Sequence, residues 1–168
     1  AHSLPYSEFA ILFRGNHQSR PLEKELQLLK IPYHITGGTA FLDRGEVKDV
    51  LAWLRIIANP DDDAAFLRAV TSPKREVGAG SLEKLAQMAR HAHIPLSLAA
   101  QNSSYVNALS ARPAAGLSEF MRLIVRLRAQ SKSAKAADIV RAVIAESGIL
   151  GQLRLETKNE ALFLRRKE

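Results

Sequence analysis

The sequence predicts a mostly helical chain with a short α/β start. Two observations carry that expectation. Up to Thr36 the chain shows an apolar run, an amphipathic stretch and a second short apolar run, the order of a strand, a helix and a strand. From Glu46 onward, apolar residues recur every three or four positions in one segment after another, which is helical spacing. Gly37-Gly38 stands between the two regimes and breaks the pattern.

Glu8–Phe13 (EFAILF) reads as a short buried strand, because a compact apolar run is closed by Arg14-Gly15-Asn16. Gln18–Lys30 follows as a helix, with Pro21 in its first turn and Leu22, Leu26 and Leu29 as its apolar stripe. Ile31-Pro32 ends it, since the residue before a proline is pushed out of the helical region. Tyr33–Thr36 is a second strand, and the three elements together suggest a βαβ crossover. Two strands do not make a stable sheet. Either the rest of the sheet lies outside this chain or the piece leans on the helices. Gly37-Gly38 is a flexible joint, not a phosphate cradle, because no lysine and hydroxyl follow at the right spacing.

After the joint, Glu46–Ala58 places Val47, Val50, Leu51, Leu54 and Ile57 on one face. Asn59-Pro60-Asp61-Asp62 stops that helix and caps the next, Asp62–Val70. Residues 71–81 (TSPKREVGAGS) form an irregular loop, with Ser81 as N-cap of a helix over Leu82–His91. Weaker helices are expected around 96–110. Pro113–Gln130 turns Leu117, Phe120, Met121, Ile124 and Leu127 inward, and Ala134–Ser147 ends at Gly148 as a C′ residue. Residues 149–168 read as a further helix.

Composition narrows the function. With 168 residues, 46% of them apolar, the chain is long enough to bury a core. It has no cysteine, which excludes disulfides and thiolate metal sites and fits a reducing cytoplasm. No apolar run approaches the ~18–20 residues that span a bilayer, and AHSLPYSEF is not a signal peptide. The net charge is +7 and unevenly spread. Residues 71–130 hold eight basic and three acidic side chains, against four and six in residues 41–70. A basic block suits a polyanion, of which nucleic acid is the commonest, and equally suits a solvated surface.

Catalytic motifs are lacking. No G-x-x-x-x-G-K-[ST] occurs, so there is no phosphate loop. His91-x-His93 lacks the i,i+4 spacing and third ligand of a helical metal site and reads as a surface pair. Asp61-Asp62-Asp63 is explained by capping and the helix dipole, so no metal is expected. Two places suit nucleic acid. Arg14 supplies a charged fork for phosphate, Asn16 an amide, and Gly15 a close backbone approach. Lys74 and Arg75 precede a glycine-bearing turn into a helix N-terminus, where free N–H groups attract phosphate.

AILFRGNHQSR (10–20), IPYHITGGTAFLDRGEVKDVLAWLRIIANPDDDAAFLRAV (31–70) and SPKREVG (72–78) together resemble the UvrD/Rep/PcrA helicases of superfamily 1, with GNHQSR nearest to the Rep branch. The resemblance implies an ATP-dependent 3′-to-5′ single-strand DNA translocase and helicase with subdomains 1A, 1B, 2A and 2B. Residues 1–38 would be part of the RecA-like motor subdomain 2A. Residues 39–168 would be most of the helical subdomain 2B, truncated at its C-terminal end, with Gly37 and Gly38 at the hinge.

ATP and Mg²⁺ would serve the intact enzyme, whereas this piece would hold no cofactor and be inactive alone. The resemblance gives Arg14 and Asn16 single-strand contacts, leaves Gln18, Ser19 and Arg20 to support the loop, and makes Lys74, Arg75, Gly78 and Ser81 duplex contacts. Here Glu76-Val77-Gly78 replaces the Gly-Ile-Gly frequent in relatives and sets a carboxylate beside that contact. Single-stranded DNA, single/double-strand junctions and accessory replication or repair proteins are the implied partners, in the cytoplasm. A stand-alone helical DNA-binding or protein-interaction module is the alternative.

Overall fold

The computed structural model describes residues 4–15, 18–35 and 41–157. It divides into two compact units, Ala1–Arg44 and Gly45–Glu168. Gly37 and Gly38 lie outside the described residues.

In the first unit a 3₁₀ turn over Tyr6–Glu8 leads to Phe9–Phe13, then a bend at Arg14-Gly15, and α1 over Ser19–Leu28. No strand forms among the described residues, in contrast to the two expected ones. A strand exists only through its ladder, and Phe9–Phe13 has no paired neighbour among the described residues. Most of the apolar side chains of this run therefore stay open: Leu12 is 95% exposed and Phe9 65%, while Phe13 is half-buried. The α1 stripe is likewise half-covered, with Leu22 and Leu26 intermediate and Leu29 exposed. Among the described residues, only Ser19 of this unit is buried.

The second unit is helical: after Phe41–Asp43, a 3₁₀ turn that belongs to the first unit, come α2 (Gly45–Ala58), α3 (Asp63–Thr71), α4 (Ala79–Ala92), α5 (Leu96–Ala99), α6 (Ser103–Asn107), α7 (Ala111–Ser131), α8 (Ala136–Glu146) and α9 (Ile149–Glu156). Helix α2 packs against α3, α7, α8 and α9, which makes it the centre of the body. Its buried residues are Ala52, Trp53, Ile56 and Ile57, so the core face is rotated from the expected stripe. Leu51 is exposed, while Val47, Val50 and Leu54 are only partly covered. A helix touched from several sides has no single apolar stripe, and its bulkiest residue decides its orientation.

That residue is Trp53. Its ring meets Phe120 edge-on at 5.1 Å, and Phe120 meets Phe66 edge-on at 5.6 Å, the geometry aromatic quadrupoles favour. Leu117, Phe120, Met121, Ile124 and Leu127 of α7 are all buried, as their spacing requires. Asp62 caps α3 by accepting the Ala65 N–H at 2.9 Å. Gly148 follows α8 with φ +85°, a left-handed turn suited to glycine.

Candidate nucleic-acid interface

In the first unit the bend after Phe13 is held by one side chain. Gln18 Oε1 accepts the N–H groups of Arg14 and Gly15, both at 3.1 Å, and the Gln18 N–H donates to the Gly15 carbonyl at 2.9 Å. Because its amide folds back onto the bend, Gln18 sits at the N-cap of α1 without capping it. Ser19, buried, and Arg20, exposed, open the helix. Arg14 is exposed, and its guanidinium has no hydrogen bond or ion pair among the described residues. Asn16 lies outside the described residues.

The second cluster is the stretch between α3 and α4. Its rigidity comes from Arg75. The guanidinium donates to the carbonyls of Pro73 at 2.7 Å, Ala69 at 3.1 Å and Ser147 at 2.7 Å. It also lies 4.8 Å from the Trp53 ring and 5.4 Å from Phe120, a cation over two π faces. Burial lowers its pKa to about 10, partly opposed by Glu119, so it stays a cation at neutral pH. Sequence charge alone treats Arg75 as a surface cation. The structure turns it inward, towards carbonyls and rings.

The neighbouring residues show how closely this segment is held. Lys74 N–H donates to Gln152 Oε1 of α9 at 3.1 Å, and Val77 is buried. A Cβ on Gly116 would stand 2.2 Å from the Arg75 carbonyl oxygen, so α7 approaches the backbone here at a distance only glycine permits. A glycine inside an otherwise helical pattern was the signal in the sequence for this approach. Glu76 adopts φ +58°, where non-glycine residues are strained. Lys74, Glu76 and Gly78 remain exposed.

Ser81 is not the N-cap. Helix α4 begins at Ala79 behind Gly78, and the N–H groups of Ser81 and Leu82 both donate to the Gly78 carbonyl at 3.1 Å. Val77, anchored in the core, brings the chain into helical geometry earlier than the serine suggested, and glycine is an acceptable cap. His93 ends α4 in the left-handed region. Asp62 pairs with Arg55 at 2.7 Å, while Asp63 accepts the Leu96 N–H at 2.8 Å, so these carboxylates serve helix ends. Among the described residues no three potential metal ligands cluster, and no helix is long and apolar enough to cross a membrane.

The structure thus collects Arg14, Gln18, Ser19 and Arg20 on one bend, and Lys74, Arg75, Gly78 and Ser81 on another segment, each within its own unit. Both lie within the part of the chain that matches a known family. The family model of the UvrD-like helicase C-terminal domain matches residues 1–113. The chain is 43% identical over 145 residues to the ATP-dependent DNA helicase Rep of Escherichia coli, covering 84% of this chain and 22% of that protein. It is 39% identical to the ATP-dependent DNA helicase PcrA of Bacillus subtilis, covering 93% of this chain and 22% of that protein. It is 37% identical to DNA helicase II of Escherichia coli, covering 96% of this chain and 24% of that protein. The chain therefore spans less than a quarter of the length of these curated relatives. With more than half of its residues inside the family model, the chain belongs to the UvrD-like helicase C-terminal domain family.

Proposed function

We propose that this chain is one part of an ATP-dependent 3′-to-5′ DNA translocase and helicase acting in the cytoplasm, on single strands and on single/double-strand junctions. Residues 1–38 serve as part of motor subdomain 2A and residues 39–168 as most of the helical subdomain 2B, truncated at its C-terminal end, with Gly37-Gly38 as the hinge. ATP and Mg²⁺ are bound by other parts of the intact enzyme, and accessory replication or repair proteins are its natural company. The observation that carries this reading is the Arg14 bend. Gln18 takes up the N–H groups of Arg14 and Gly15 and leaves the Arg14 guanidinium exposed, with no partner among the described residues. Arg14 and Asn16 are its single-strand contacts. Gln18, Ser19 and Arg20 shape the loop.

At the second segment the duplex contact is made by Lys74 and by the backbone around Gly78 and Ser81. Arg75 acts from within, holding the turn that presents them. Phosphate contact of this kind carries no sequence information and is salt-sensitive.

The test is salt-dependent binding by the intact helicase. Arg14→Ala is expected to weaken single-strand affinity by a similar factor on every sequence and to lower the salt slope by ~1. Asn16→Ala should weaken binding with little change in slope, since it carries no charge. If Arg14→Ala abolishes ATP hydrolysis and leaves DNA affinity intact, the arginine senses nucleotide and the reading fails.

A further inference from the structure

A hollow of about 280 Å³ opens on the surface of the second unit, lined by residues of α7, of α5 and of the end of α2. Its floor is apolar, formed by Ile56, Met121 and Ile124, with Val125 at the side and half exposed. Arg128, in the last turn of α7, and Lys132, the residue that caps this helix, stand along it. No aspartate or glutamate lines it. Arg128 is half-buried, yet neither cation has a carboxylate or carbonyl partner for its side chain among the described residues. Elsewhere on this unit arginines with carboxylates in reach pair with them: Arg55 with Asp62, Arg68 with Asp49, Arg126 with Glu146. An apolar seat with two uncompensated cations beside it is complementary to an apolar group flanked by negative charge.

We propose that this hollow docks a short acidic peptide segment of a partner protein, seating one large aliphatic side chain on Ile56, Met121 and Ile124 while its carboxylates meet Arg128 and Lys132. The volume lies just below the range of about 300–1,000 Å³ usual for small-molecule pockets, and the hollow is open, which suits a side-chain anchor better than an enclosed ligand. Nucleic acid fits it less well. Strand-binding surfaces stack bases on aromatic rings, and no aromatic residue lines this hollow. A phosphate backbone would meet the two cations and leave the apolar floor uncovered.

The proposal is tested on the intact helicase with a fluorescein-labelled peptide carrying two adjacent leucines between runs of aspartate and glutamate. Saturable binding is expected. Replacing both leucines by serine, or combining Arg128→Glu with Lys132→Glu, should each weaken it at least about tenfold. Val125→Arg adds positive charge while filling the seat, so it too should weaken binding; stronger binding would show plain charge attraction and overturn the proposal. The substituted positions lie outside the fully buried core, and unchanged melting curves will verify that the variants fold. Absence of binding, equal binding of the serine peptide, or displacement of the peptide by an oligo-dT strand that is itself weakened by Arg128→Glu would also overturn it. The last result would assign the surface to nucleic acid.

Discussion

Arg75 shows how a residue that is basic by composition becomes structural by position. Its hydrogen bonds satisfy carbonyls from three parts of the chain, so truncation strands several acceptors at once. Arg75→Ala should cost about 2–4 kcal/mol, and Arg75→Lys should recover only a part, because an ammonium cannot reproduce the planar fork. Urea denaturation of the three proteins checks this. Glu76 invites the opposite change. Glu76→Gly removes strain at φ +58° and should stabilise the fold by roughly 0.5–1 kcal/mol. It also removes the carboxylate beside Lys74, so duplex affinity at low salt should rise together with stability. If affinity falls, Glu76 makes a contact of its own. Asp62 gives a pH signature. The Ala65 N–H it accepts, helped by Arg55, holds its carboxyl below the usual carboxylate range. Its folded pKa is depressed, so its contribution is present above the unfolded value of about 3.9 and lost as pH falls through the folded one. Asp62→Asn should therefore flatten the acid limb of stability, read from melts between about pH 6 and pH 3.

Among the elements, α7 carries two demands at once, a core face and a close approach. Alanine at position 116 would be the better helix former, yet its Cβ would press on the Arg75 carbonyl. Gly116→Ala is expected to destabilise by roughly 1–2 kcal/mol despite the propensity gain, because the obstacle is backbone and cannot rotate away. Gly151 in α9 has nothing within 4 Å of the same position, so Gly151→Ala should stabilise by roughly 0.5–1 kcal/mol. Paired thermal melts decide whether packing or propensity governs each site.

The same elements show what was legible beforehand. The inward residues of α7, the Asp62 cap and the Gly148 turn follow from local spacing and chemistry, and the structure has each of them. The orientation of α2 does not, since it depends on helices up to a hundred residues away that surround Trp53. Arg75 was hidden for a similar reason: a guanidinium's role depends on which carbonyls the fold brings to it. The expected strands failed because pairing is a property of neighbours, and an apolar run alone does not supply one.

For the whole molecule, the lack of a phosphate loop yields a direct expectation. The isolated chain should show no ATP turnover with or without DNA, measured by phosphate release from a preparation free of other helicases. Hydrolysis stimulated by single strands would contradict the assignment of nucleotide binding to other parts of the enzyme. The segment between α3 and α4 has a further consequence, in time. Its two anchors bond to Ser147 and Gln152, respectively 72 and 78 residues further along the chain. A chain leaves the ribosome N-terminus first, at about 5–20 residues per second. Lys74 and Arg75 are therefore exposed to solvent, and to proteases that cut after basic residues, for several seconds before their partners have been made. Nascent chains arrested before Ser147 should be cleaved by trypsin at this segment, and chains extended well past Glu156 should resist, making the segment a built-in record of whether its unit has finished folding.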